Sequence, residues 1–130
     1  MKLIISNRSS VPIYEQIKNQ IKDAILSGEL IEDSPLPSIR QLAKELKISV
    51  ITTTRAYSDL EKEGFVVNIQ GKGCFVLPRN LELVKENAYR EIEQAFEKAI
   101  DLAQRNSMTY TELLEILNNL YKEYKDEKRN

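Results

Sequence analysis

Residues 35 to 76, PLPSIRQLAKELKISVITTTRAYSDLEKEGFVVNIQGKGCFV, place two short helical patterns one turn apart and follow them with a glycine-tipped hairpin. Few small architectures accept that order. Ser38 is a helix-start residue with Gln41 three positions on, a capping-box pattern. Ile39, Leu42, Ala43 and Leu46 then fall on one face. After Lys47-Ile48, Ser49 opens a second pattern that runs to about Glu63. It turns Ala56, Tyr57 and Leu60 inward, with Thr53 one turn earlier, and Gly64 stops it. Phe65 to Gln70 and Cys74 to Leu77 are rich in β-branched and aromatic residues, with Gly71-Lys72-Gly73 as the turn between them.

An earlier helix is expected from Pro12 to Ser27, with Ile13, Ile17, Ile21, Ala24 and Ile25 at helical spacing. Ser10 and Pro12 suit its start and Gly28 its end, and Glu29 to Pro37 reads as a connector. Pro78 and Asn80 close this first region. Two further helical patterns follow. Leu81, Val84, Ala88, Ile92, Ala95, Phe96, Ala99 and Ala103 form one stripe, and Asn106-Ser107 breaks it. Thr109 with Glu112 makes another capping box, and Leu113, Leu114, Leu117, Leu120, Tyr121 and Tyr124 line the last helix. The charged chain end is expected to fray. The fold class is therefore mainly α with a small β hairpin, divided into residues 1–78 and a helical hairpin over 79–130. Two helices alone bury their apolar faces poorly, so the favoured reading docks the tail on a second copy through Val84, Ala88, Ile92, Phe96, Leu113, Leu117, Leu120 and Tyr121. The alternative folds the tail onto its own head.

Composition narrows the function. The 130 residues are 42% hydrophobic and 30% charged, which suits a folded, soluble chain. Runs such as Leu3-Ile4-Ile5 are too short for a bilayer or a secretory signal, so no membrane partner is expected. Cys74 is the one cysteine; it forms no internal disulfide and fits a reducing cytoplasm. With no histidine, the chain lacks the triads, Cys-His pairs and His-rich metal sites of many enzymes. No enzyme activity, cofactor or metal is expected. The net charge of −1 argues against nucleic acid, but its distribution softens the objection. Residues 1–80 hold 11 Lys/Arg against 9 Asp/Glu, whereas residues 81–130 hold 8 against 11.

The order of elements points to double-stranded DNA, because a helix fits the major groove while a hairpin reaches adjacent backbone or minor groove. Val50, Ile51, Thr54, Arg55 and Ser58 fall on the outward face of the second helix of the pair, and Arg55 is the only cation in its first two turns. Val50 and Ile51 together favour contact with thymine methyl groups over packing on the preceding helix. Ser38, Arg40, Ser49 and Thr52 lie at helix starts, where free N–H groups and the dipole favour phosphate; the serines also serve as caps. Gln70, Gly71 and Lys72 form the hairpin tip, suited to close approach and to a phosphate.

PIYEQI (12–17), GEL (28–30), LPSIRQLAKEL (36–46), TRAYSDLEKEGF (54–65) and GKGCFV (71–76) together resemble the winged helix-turn-helix head of the GntR family of bacterial transcription regulators. The short two-helix tail resembles the YtrA-type branch. That resemblance implies a homodimer on a palindromic operator, often repressing a neighbouring ABC-transporter operon, without catalysis. It also implies DNA contacts at Arg40, Ser49, Thr52, Arg55, Gly71 and Lys72. Two positions depart from the pattern. Val50 stands where many members carry arginine, so the operator is expected to be A/T-rich beneath it. Thr53 stands where valine is common, which puts a hydroxyl in the core.

The rival to a DNA reader is a winged-helix module that binds protein or RNA. An unidentified small-molecule effector could use a tail cluster of Tyr89, Phe96, Tyr110, Tyr121 and Tyr124, but aromatics at this spacing are more often core or interface. Leu3-Ile4-Ile5 has two open placements, beside the wing or at an interface.

Overall fold

A computed structural model describes residues 1–129, with side chains through 126. Helix α1 spans Ile13–Leu26, α2 Ile39–Leu46 and α3 Val50–Lys62. Strands β1 (Val66–Ile69) and β2 (Gly73–Val76) follow, then α4 (Leu81–Arg105) and α5 (Tyr110–Arg129). The chain forms two compact units, Met1–Glu86 and Asn87–Asn130.

The first unit is built on the apolar faces read from the sequence. Ile17, Ile21 and Ile25 of α1 share one core with Leu42 of α2, Ala56, Tyr57 and Leu60 of α3, and Phe65, Val66, Cys74 and Val76 of the hairpin. Burying a large aliphatic side chain contributes about 1.5–3 kcal/mol, so this cluster is the unit's main source of stability. Thr53 is fully buried, and its hydroxyl donates to the Ser49 carbonyl at 3.1 Å, which satisfies the polar group expected there. Lys18 and Lys22 of α1 reach Glu63 at 3.4 and 2.7 Å, fastening α1 to the end of α3.

The wing is broader than its two strands. β1 and β2 pair antiparallel, Val66 opposite Val76 and Ile69 opposite Gly73. The connector adds a third rung on β2: Leu36 N–H donates to Cys74 O and Val76 N–H to Ser34 O, both at 2.9 Å. Glu61 of α3 holds the other side, accepting from Asn68 N–H at 2.9 Å and from its side-chain amide at 3.2 Å. These two bonds lower the Glu61 pKa below the usual carboxylate value.

Residues 3–5 do not pair with the wing. They run along α1, where the Gln20 side chain pairs with both Ile4 N–H and Ile4 O, while Gln16 does the same for Ser6. Leu3 and Ile5 face the core and Ile4 is exposed.

The first unit also extends past residue 78. Leu83 lies against Gly64, and Val84 is half-buried on the core of the first unit rather than open at an interface as expected. In the second unit, Thr109 and Glu112 close the reciprocal capping box. From Asn87 onward α4 forms one compact unit with α5. Ala88, Ile92, Phe96, Leu117, Leu120 and Tyr121 are exposed or half-buried, as is Leu113. In the single chain Tyr89, Tyr110, Tyr121 and Tyr124 are all more than 60% exposed. The fraying expected of the chain end falls in part on Asn130, which lies outside the described residues.

Candidate nucleic-acid interface

Two helix starts and the hairpin tip define the site. Ser38 caps α2 by accepting from Gln41 N–H at 3.1 Å, and Ser49 caps α3 by accepting from Thr52 N–H at 3.0 Å. The Ser49 hydroxyl donates in turn to Thr52 Oγ1 at 2.8 Å. The expected capping box at Ser38 is only half formed, because the Gln41 side chain turns to Glu45 instead. Beyond these caps, the first two amides of each helix take no partner among the described residues, and they sit at the positive end of the helix dipole. Lys47 makes the intervening turn in a left-handed conformation, φ 57°, ending α2 so that α3 starts at once.

On the outward face of α3, Ile51 is 82% exposed and Val50 48%. Thr54 is exposed, but its hydroxyl donates to Val50 O at 2.8 Å, leaving a methyl group and an acceptor lone pair outward. Ser58 is half-buried.

Arg40, Gln70, Gly71 and Lys72 line one open groove of about 450 Å³ with Ser38, Ile39 and Tyr57. The structure therefore brings the α2 start and the wing tip together. Lys72 N–H donates to Ile69 O at 2.9 Å, and Gly71, at φ 79°, supplies the backbone turn. Tyr57 floors the groove, donating its hydroxyl to Pro37 O at 2.7 Å. Burial, with the thiol of Cys74 and Glu45 adding, pushes the Tyr57 phenol well above its usual pKa. Cys74 behind it is pushed up to about 11 by burial first and Glu61 second, so its thiol stays protonated and inert.

Arg55 makes an approach that helical periodicity does not reveal. Its guanidinium carbon lies 3.8 Å from the centroid of the Tyr14 ring on α1. An aromatic in the first turn of α1 is the one signal the sequence holds, and spacing alone does not pair residues of two helices. Among the described residues there is no cluster of His, Cys, Asp or Glu able to hold a metal, and no helix long and apolar enough to cross a membrane.

An apolar-tipped helix, a second helix start and a braced hairpin on one core define a winged helix-turn-helix protein. The chain belongs to the GntR family of bacterial regulatory proteins, YtrA-type branch: the family model matches residues 13–76, the head described above. The HTH-type transcriptional repressor YtrA of Bacillus subtilis (strain 168) is 30% identical over 126 residues, 97% of each chain. The structure of YtrA from Sulfolobus acidocaldarius, a GntR-family transcription factor, superposes with a TM-score of 0.55 at 32% identity, covering 93% of this chain and 97% of that one. The DNA-binding domain of AraR, solved in complex with operator ORX1, matches 58% of this chain and 95% of its own at 28% identity, TM-score 0.52. Longer curated relatives are matched in part only, this chain spanning 32% of one and 39% of another.

Proposed function

We propose that the chain is a sequence-specific DNA-binding repressor that acts as a homodimer on a palindromic, A/T-rich operator. The observation that carries it is the exposure of Val50 and Ile51 at the start of α3, on a fold whose α2 start and wing tip share one groove. Apolar side chains at the first turn of a recognition helix suit thymine methyl groups, and the free helix amides with Arg40 and Lys72 suit phosphates on either side. Homodimerisation is supported by the unburied faces of α4 and α5, which need a covering surface. The YtrA-type resemblance makes a neighbouring ABC-transporter operon the proposed target. Any effector would act only by favouring one of two arrangements of the paired heads.

Selection of duplexes from random-sequence DNA, followed by gel shifts across a salt series, tests this reading. The expected product is an inverted repeat with A·T pairs beneath Val50 and binding that weakens steeply with salt. An obligatory G·C pair there would overturn the A/T-rich operator. Failure to retain any duplex at low salt would instead favour a protein-binding module on the same fold.

A further inference from the structure

Arg55 is the only cation in the first two turns of α3, and it does not stand free on the outward ridge. It leans to the α1 flank and lies against the Tyr14 ring. Three features make that ring a firm support. Tyr14 is itself half-buried and packs against the core. The next turn of α1 carries Ile17 and then Ile21, both fully buried. Gln16 and Gln20 tie the same helix to the N-terminal segment.

Stacking occupies only the face of a guanidinium. Its five N–H donors lie in the plane and remain open at the edge. Among the described residues no carboxylate or carbonyl takes them, so the donors are offered to something outside the chain. An arginine free to sample all its rotamers loses that freedom on binding, whereas one already stacked loses less.

Resting on the DNA-binding reading above, we infer that Tyr14 is a positioning residue that holds Arg55 against a backbone phosphate at the edge of the major groove, and that Arg55 does not read a base. With the ridge of Ile51 and Thr54 in the groove, the flank carrying Arg55 would face a phosphate at the groove wall. Base readout is thereby left to side chains without charge.

The test uses the full chain and a fluorescent duplex selected by the wild-type protein, with anisotropy read at several salt concentrations. Arg55→Ala is expected to weaken binding and to reduce the slope of log affinity against log salt by about 0.9 for each phosphate no longer neutralised. The same base preferences should be retained. Tyr14→Leu is expected to weaken binding by about two- to tenfold per head, the range that ordering one long side chain costs. Tyr14→Phe keeps the ring and is expected to match the wild type. In the Arg55→Ala background, Tyr14→Leu should cause no further weakening, which a merely structural role for the ring would not produce. Unchanged binding by Tyr14→Leu, a weakening that persists without Arg55, or a base preference altered by Arg55→Ala overturns the inference. If the wild type selects no duplex, the proposed function falls and this inference with it.

Discussion

Cys74 and Tyr57 are buried weak acids in the core of the head. The Cys74 thiol moves from 9.0 to about 11 in the folded chain, and the Tyr57 phenol is raised as well. An unfolded chain therefore loses these protons first. The stability Cys74 confers is complete below pH 9 and is lost as pH rises toward 11, and the Tyr57 share is lost at still higher pH. Thermal melts followed by circular dichroism should show a falling midpoint over that range, and Cys74→Ala should make the fall shallower. A midpoint that stays level to pH 11 would mean that the Cys74 proton is not linked to folding. At the same scale, the hydroxyl of Thr53 shows how a departure from the family pattern is absorbed. The residue sits in a core position with its oxygen bonded to the preceding turn, so it behaves there as the valine it replaces.

Elements are legible to the extent that their signals are local. Ser38, Ser49 and Thr109 cap helices because a side-chain oxygen two or three residues from an orphan N–H needs no help from the rest of the fold. Periodicity likewise locates the buried faces of α1, α2 and α3. It does not say what covers a face: the stripe that puts Val84 at an interface is equally satisfied by the head, where Val84 lies. Nor does it join residues distant in sequence, such as Arg55 with Tyr14 or the N-terminal segment with Gln16 and Gln20. The junction of α3, β1 and α4 offers a test at this scale. Gly64 has φ 84°, and a Cβ there would strike the Leu83 side chain. Gly64→Ala should destabilise the head by about 1–2 kcal/mol through backbone strain alone, measured by urea unfolding, with the clash adding to it. Leu83→Ala in the same chain should remove only the second part. A Gly64→Ala midpoint equal to the wild type would show that the turn relaxes without cost.

At the scale of the whole molecule, the open faces of α4 and α5 carry the proposed dimer. Phe96→Lys and Leu117→Lys place a charge on surfaces that are 49% and 41% exposed in the single chain, so the head should keep its melting behaviour. Sedimentation should show the subunit alone at concentrations where the wild type is paired, and operator affinity should drop because one head engages where two did. A dimer that survives both changes would move the pairing surface elsewhere. In the proposed operator complex, the wing's bonds to the connector and to Glu61 are expected to hold it at one opening, like a caliper. A duplex measured in that way is expected to do the yielding itself. Bases that no side chain reaches then matter through the cost of bending or narrowing the helix around them.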